Sequence, residues 1–424
     1  MTESQFREAV WSGLGRAILY ARENDIGEFR DVILDACLHC YSVDPQSEGT
    51  RALYMLELVN LTADREFYCA EVLSALPNCG DDWDAVQRFR FASYLAMDGD
   101  GRAKQAMYEN FNPGPWHVEE TGIDFVRMDG MDGFLFAARK VGELIAKPGR
   151  VNGGHLIWHA TETLGEEQAL SALRKAGETD PRVGAYRLAV EASREAERRA
   201  PLRKSKDIEG LTYEELKPRL LEVSPYRLSR WGRDASAEDL ELAAHDLQAA
   251  RTPECQMPYL RIFGRRPFPL GHEFLLQLAA SDDGRVAVAA AVALRNISHP
   301  SVRELAFRLV ENHRPGRWQA ISMLDRNWKS GDHEIVLHWF EDEEDRAIRH
   351  DLGIDQRCFW EHHPDTATEG RMLLALYEMG PCSSCRGFVL SRLIELEALP
   401  DSIREECARD ANEDVRGLVA GKRG

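Results

Sequence analysis

Apolar residues recur at helical spacing along nearly the whole chain, and this periodicity constrains the fold more than any other feature. In the first segment they form one stripe at Phe6, Val10, Leu14, Ala17, Ile18 and Ala21. Similar stripes predict helices at roughly 50–61, 65–76, 82–97, 133–146, 155–176, 182–199, 212–222, 237–250 and 272–281. Only residues 123–128 suggest a short extended piece. The sequence therefore predicts an all-α protein.

A second pattern repeats within that periodicity. A turn or capping residue is followed three positions later by Val, at Asp180-Pro-Arg-Val183, Asp283-Gly-Arg-Val286, His299-Pro-Ser-Val302 and Asn412-Glu-Asp-Val415. A polar residue at this place caps a helix, and the Val is expected to be its first inward side chain. The stretch DDGRVAVAAAVALRNI is the clearest example, because its Ala residues let neighbouring helices approach closely.

Pairs of helices are predicted to begin near 272, 300, 331, 365 and 401, which gives spacings of 28, 31, 34 and 36 residues. With the DDGRVAVAAAVAL segment, this pattern resembles HEAT-like helical repeats, most clearly over residues 270–424. The resemblance implies an α-solenoid of stacked antiparallel helix pairs. The repeat length drifts, and the Arg that usually follows the Val is present only at Arg303 and Arg416.

A chain of 424 residues is too long for one ordinary core, but a repeat stack escapes that limit because each unit buries its apolar face on its neighbours. Residues 198–210 are polar and contain Pro and Gly, which is typical of a linker. We therefore predict an N-terminal helical block over 1–200 and a C-terminal HEAT-like stack over 201–424.

Composition and charge limit the partners and the cellular compartment that the sequence predicts. The net charge of −18 disfavours nonspecific nucleic-acid binding, which depends on clustered Lys and Arg. No apolar run approaches the roughly 18 residues that a membrane-spanning helix needs, and the charged N-terminal segment does not resemble a secretory signal. Nine scattered cysteines suit a reducing compartment. We expect a cytoplasmic protein without a membrane partner.

The candidate binding residues interleave Arg with aromatic side chains. They are Tyr226, Arg227, Arg230, Trp231, Arg233, Arg261, Arg265 and Arg266, in a stretch (198–266) where 14 Lys and Arg residues face 11 Asp and Glu residues. Guanidinium groups grip carboxylates or phosphates, and aromatic rings offer faces for stacking. The alternative is that these Arg stems cover neighbouring helices and pair with nearby acids.

A candidate metal site combines Cys358 or His362 with the Cys382-Ser-Ser-Cys385 pair. Thiolates and imidazoles could complete a tetrahedral zinc site, the one cofactor that the sequence suggests. The same thiols could instead be redox-active, because a helix N-terminus lowers a thiol pKa. The third alternative is a tight helix entry, with Ser383 or Ser384 as the cap.

Two further polar motifs have simpler interpretations. His155 and His159 lie four residues apart on one helix, with Glu162 continuing that face. This spacing permits metal binding, but a packed structural pair is favoured. Asp124, Asp129 and Asp132 fit no calcium loop, and Asp132 is predicted to cap the helix that follows.

No phosphate loop, nucleophile elbow or dinucleotide fingerprint occurs in the sequence. The favoured function is a non-catalytic scaffold that binds a protein or peptide on its concave face. The alternative is a nucleic-acid-binding protein or an enzyme that uses the Arg and aromatic face. The resemblance permits this, since HEAT-like stacks include DNA repair glycosylases and chromophore lyases.

Overall fold

A computed structural model describes residues 1–80, 82–112, 114, 117–145, 154–199 and 208–420, with the backbone alone for 196–199. Every regular element in these ranges is helical and none is a strand, which confirms the all-α prediction. No helix in these ranges combines the length and the apolar character needed to cross a membrane.

The described ranges contain 26 α-helices. The first twelve are α1 (Glu3–Ser12), α2 (Arg16–Glu23), α3 (Arg30–Leu38), α4 (Pro45–Glu48), α5 (Ala52–Asn60), α6 (Arg65–Ala75), α7 (Trp83–Met97), α8 (Gly101–Asn110), α9 (Val118–Ile145), α10 (Gly154–Leu164), α11 (Glu166–Gly177) and α12 (Pro181–Arg199).

The next eleven are α13 (Tyr213–Leu216), α14 (Pro225–Asp234), α15 (Ala237–Ala249), α16 (Pro253–Ile262), α17 (Glu273–Ala279), α18 (Gly284–Leu294), α19 (Pro300–Glu311), α20 (Ala320–Asp325), α21 (Asp332–Asp342), α22 (Arg346–His362) and α23 (Thr366–Met379). The last three are α24 (Ser383–Glu395), α25 (Asp401–Cys407) and α26 (Glu413–Ala420). Short 3-10 turns lie between some of them, among them Phe263–Arg265 and Arg317–Gln319.

Helix starts in the C-terminal half agree with the sequence pattern. Helices α17, α19, α21, α23 and α25 begin within one residue of the predicted starts of the helix pairs. The Val of all four repeated turns is buried, at Val183, Val286, Val302 and Val415. These local predictions are confirmed.

Two helix predictions are wrong in detail. Residues 123–128 are helical and belong to α9, which kinks at Gly130, where φ is +57°. The apparent alternation arose because Asp124 is a buried polar residue between buried apolar ones, so polarity did not report exposure. The predicted helix over 155–176 is two helices, because Gly165 adopts φ +89° between α10 and α11.

The chain forms two compact units. The first unit combines Met1–Leu202 with Pro381–Gly424, and the second is Arg203–Gly380. Residues 381–420, which were predicted to belong to the C-terminal stack, thus pack with the N-terminal helices. Of the predicted linker, residues 200–207 lie outside the described ranges.

In the first unit, α24–α26 contact the start of the chain. Arg386 pairs with Asp410 at 2.8 Å, both side chains are fully buried, and the same guanidinium donates to the Ser12 carbonyl at 2.7 Å. The amide of Ala411 donates to the Gly13 carbonyl at 2.9 Å. A Cβ at Gly15 would lie 1.9 Å from a carbonyl oxygen of α25, so this approach requires glycine.

In the second unit, helices pack mainly on the next helix and the next but one. Helix α14 packs on α16, α16 on α18, and α20 on α22, while α13 packs on α15 and α21 on α23. A side chain after α18, after α20 and after α22 reaches a carbonyl at the end of the helix two before it. These contacts are Asn296 to Phe263 (3.1 Å), Asn327 to Ile297 (3.1 Å) and His363 to Asp325 (3.0 Å).

One turn recurs in both units. An Asp at the start of a helix accepts hydrogen bonds from the backbone amide and the guanidinium of the Arg two residues later. The same Arg also donates a hydrogen bond to a Glu on an earlier helix. The sets are Asp100, Arg102 and Glu66; Asp180, Arg182 and Glu143; and Asp283, Arg285 and Glu254. Donation from Arg285 lowers the pKa of Asp283 to about 2. The turn at Asp100 lacks the Val at the third position that marks the other two, so the sequence pattern did not indicate it.

Candidate functional site

The two Arg-rich segments of the sequence meet in the second unit. Helix α14 packs against α16 and against the Phe263–Arg265 turn. The approach is close, since a Cβ at Gly232 would lie 2.0 Å from the carbonyl oxygen of Ile262. Residues about 35 positions apart in sequence therefore share one surface. Closing a loop of this length costs only a few kcal/mol in chain entropy.

That surface is formed by part of the predicted binding set. Tyr226 is 63% exposed, and the Arg265 guanidinium lies 5.8 Å from its ring centroid, within the range of a cation–π contact. Arg230 pairs with Glu209 at 2.8 Å, and Arg233 pairs with Asp234 at 2.8 Å.

The remaining predicted residues lie elsewhere or are covered. Trp231 is buried and its indole donates to the Leu211 carbonyl at 2.9 Å, so the prediction that it offers a stacking face is wrong. Arg266 is exposed, and Arg227 and Arg261 are half-buried. The buried Nε of Arg261 has no hydrogen-bond partner among the described residues.

Positive charge is concentrated at this end of the second unit. The pKa of Asp234 is lowered mainly by the hydrogen bond from Arg233, and further by the charges of Arg230 and Arg265. The Asp234 carboxylate thus lies in the field of three guanidinium groups.

Arg295 continues the line of charges from the turn at 263–265. Its guanidinium donates to the Gly264 carbonyl at 3.1 Å and to Gln319 Oε1 at 3.2 Å. Burial lowers its pKa, and the nearby Arg265 lowers it further, while Asp355 opposes both. Arg295 therefore lies between a basic neighbour and an acidic one.

The acidic end is formed by α20 and α22. Ser322 donates to Asp355 Oδ2 at 2.6 Å. Burial, with smaller contributions from Asp351 and Asp325, raises the pKa of Asp355 to about 6 against the opposing effects of Ser322 and Arg295. A carboxyl group with a pKa shifted this far is typical of functional sites as well as of buried ion networks.

We call Arg265, Arg295, Asp355, Asp351 and Asp325 the charged row. Arg265 lies in the turn after α16, Arg295 directly after α18, Asp325 on α20, and Asp351 and Asp355 on α22. Arg265 and Asp355 both act on Arg295, and Asp351 and Asp325 both act on Asp355. The charge changes from positive at Arg265 to negative at the three aspartates. The sequence pattern indicated the basic end but not Arg295 or the aspartates, because these are isolated polar residues that form no motif.

The predicted zinc ligands are divided between the units. In the second unit, the pKa of Cys358 is raised by burial and by nearby carboxylates, and His362 Nδ1 lies 3.0 Å from the Asp325 carboxylate. In the first unit, the sulfur atoms of Cys382 and Cys385 lie within 4.8 Å of each other. Each unit thus holds two of the four residues, and the zinc site stays a prediction.

The cap of α24 differs from the expectation. Cys382 is the N-cap, and its sulfur accepts from the amide of Cys385 at 3.4 Å. Ser383 does not cap the helix, since its amide and hydroxyl both donate to Glu48 Oε2, at 2.7 and 2.9 Å.

The first unit holds a polar cluster that the sequence analysis treated as separate motifs. Asp124 on α9 is fully buried and contacts Arg90 of α7, and Arg127 lies 3.3 Å from it. Glu120, one turn before Asp124, pairs with Arg90 at 3.3 Å and with His155 of α10 at 3.1 Å.

The protonation of this cluster follows from its contacts. The hydrogen bond to Glu120 raises the pKa of His155, whereas burial lowers the pKa of His159 and raises that of Asp124. The ion pairs join α7, α9 and α10 through His155, whose side chain is 52% exposed and not packed as expected. Arg90 was missed, since a lone Arg on a helix has no sequence signal.

Asp129 and Asp132 lie outside this cluster. Asp129 contacts Lys104 and accepts from the Tyr108 hydroxyl at 2.6 Å. Asp132 lies inside α9, after the kink, so the prediction that it begins a helix is wrong.

Comparison with known proteins adds no relative. No protein-family model matches the chain, and no curated protein or solved structure matches it significantly.

Proposed function

We propose that the protein is a binding scaffold built from HEAT-like helix pairs, and that the charged row of the second unit receives a protein or peptide partner. Three features support the repeat architecture. Several helices of the second unit pack on the next helix but one. Side chains after α18, α20 and α22 each contact a carbonyl at the end of the helix two before. The turn in which an Asp caps a helix and binds the Arg two residues later recurs along the chain. Stacks of this kind present extended binding surfaces.

The change of charge along the row is the single observation that carries the choice of partner. An extended segment would place acidic side chains beside Arg265 and Arg230, and basic ones beside Asp351 and Asp355. Complementary charges of this kind set orientation and specificity more than total affinity. Tyr226 adds an exposed aromatic face at the basic end.

A nucleic acid fits the same surface less well. Its phosphates would meet Arg265 favourably, but they would be repelled by the aspartates at the other end and by a net charge of −18. A duplex partner is therefore the alternative outcome of the test.

The experiment compares charge reversals at the two ends of the row. Two fluorescent peptides are used, one with a block of Glu before a block of Lys and one with the blocks reversed. Binding is measured by anisotropy for the wild type, Arg265→Glu and Asp351→Arg. We expect one peptide to bind better than the other, and each variant to weaken that binding about tenfold, or ~1.4 kcal/mol.

Matched controls lie on α19 of the same unit. Arg308 and Glu304 are exposed, and neither side chain has an ion pair among the described residues. Arg308→Glu and Glu304→Arg should leave peptide binding unchanged. Equal binding of both peptides, or equal loss in row and control variants, would contradict the proposal, and a mobility shift of duplex DNA at moderate salt would favour the alternative.

A further inference from the structure

A groove in the first unit has the size of a small-molecule site. It lies between α2, α25 and α26 and has a volume of about 710 Å³. Leu19 and Val419 give it an apolar wall. Ligand sites of this size typically combine an apolar wall with a few polar groups that orient the ligand.

Four guanidinium groups line the groove, from Arg22, Arg404, Arg409 and Arg416. Arg22 and Arg409 share one carboxylate oxygen, Glu57 Oε1, at 3.3 and 3.7 Å. One carboxylate therefore serves two cations.

Within the part of the chain that the structure describes, no carboxylate contacts the other two cations. Arg416 donates to the carbonyls of Asp410 and Ala411, at 2.7 and 3.1 Å. Arg404 is half-buried, and its guanidinium makes no ion pair or hydrogen bond with the described residues. An Arg held in a groove without a partner leaves its planar donors available to an anion.

Acidic side chains on α25 set a limit on the ligand's charge. Asp401 and Glu405 also line the groove, and both are exposed. Together with Glu57, three carboxylates balance most of the four cations. This favours a ligand with one compact anionic group over a polyanion such as a nucleic acid.

We propose that this groove binds a small amphipathic anion. Its phosphate or carboxylate head would pair with Arg404, and its apolar body would lie along Leu19 and Val419. The proposal is independent of the charged row, which belongs to the second unit.

The test uses four probes at submicellar concentration: octyl phosphate, octanoate, inorganic phosphate and octyltrimethylammonium. Binding to the full chain is measured by calorimetry and by the rise in melting temperature. We expect at least one octyl anion to bind, more tightly than inorganic phosphate, and the octyl cation not to bind. Binding of octyl phosphate alone identifies a phosphate head, and binding of octanoate alone identifies a carboxylate head.

Two variants locate the site. Arg404→Gln should weaken binding of the octyl anion about tenfold, with Arg308→Gln as the exposed control. Leu19→Gln should weaken the octyl anion but leave inorganic phosphate unaffected. Failure of both octyl anions to bind, equal binding of the cation, or wild-type affinity in Arg404→Gln would overturn the proposal.

Discussion

The two units differ in what their charged side chains join. In the first unit, ion pairs such as Arg386 with Asp410 are fully buried beside segments from the opposite end of the sequence. In the second unit, contacts run between neighbouring helices and the charged row lies along them. The buried pair of the first unit therefore joins segments that are far apart in sequence, while the charged row of the second unit joins neighbouring helices.

The largest effect is expected from breaking the buried pair of the first unit. Asp410→Ala leaves the Arg386 guanidinium buried without its carboxylate, which should cost about 3–5 kcal/mol in the free energy of unfolding. Urea denaturation followed by circular dichroism measures this loss.

An exposed ion pair provides the control for that variant. Arg285→Ala at the surface pair of the second unit should leave unfolding nearly unchanged. The double variant Arg386→Met with Asp410→Leu should recover part of the stability. A loss no larger than that of Arg285→Ala would show that the buried pair does not hold the first unit together.

The next effect compares close approaches in the two units. Gly15→Ala and Gly232→Ala each place a Cβ about 2 Å from a carbonyl oxygen, and each should destabilise by about 1–3 kcal/mol. Only Gly232→Ala should also weaken peptide binding, because it displaces α14 from the turn that carries Arg265. Gly370→Ala, in open helical space, should raise the stability by about 0.5–1 kcal/mol.

Asp355 allows a test of the charged row by pH. Its folded pKa of about 6 exceeds the unfolded value of ~3.9. The folded state therefore binds more protons between these values, and stability should fall as the pH rises from about 4 to 6. Asp355→Asn should remove this fall and stabilise the protein at pH 7 by about 2 kcal/mol. A pH profile identical to that of the wild type would show that Asp355 is solvated.

The smallest effect is expected at His155. Glu120 raises the pKa of His155, so its stabilising contribution is full below the unfolded pKa of ~6.5 and is lost as the pH rises through the folded value. Since His155 is half-exposed, His155→Gln should cost no more than about 0.5 kcal/mol at pH 5.5 and nothing at pH 8.5. Thermal denaturation at both values measures the difference, and an equal loss at both would exclude the ion pair.

Periodicity and capping residues were sufficient to predict where α17, α19, α21, α23 and α25 begin, but they did not indicate α14 and α16. Periodicity and capping depend only on nearby residues, so Asp283 and Val286 indicate a helix start whatever the rest of the chain packs against. The association of residues 381–420 with the first unit could not be predicted, because it depends on single residues such as Arg386 and Gly15 that have no local pattern.

The same reason explains the partial prediction of the charged row. Of the row, only Arg265 was predicted, because it lies with Tyr226 and Arg230 in the stretch that is rich in Arg and aromatic residues. Arg295 and Asp355 were missed, since each is one polar residue on an otherwise ordinary helix. Trp231 was wrongly predicted to be exposed, because the composition of the segment does not reveal which face of α14 is covered.

The first unit is built from two separate parts of the chain, and this has a consequence for its synthesis on the ribosome. Residues 1–202 emerge early, but the Arg386 and Asp410 that complete their packing follow only after the whole second unit has been translated. At typical elongation rates of about 5–20 residues per second, that interval is on the order of 10–40 seconds. During this time the helices next to Ser12 and Gly13 lack their partners, so the nascent chain should be a client of chaperones.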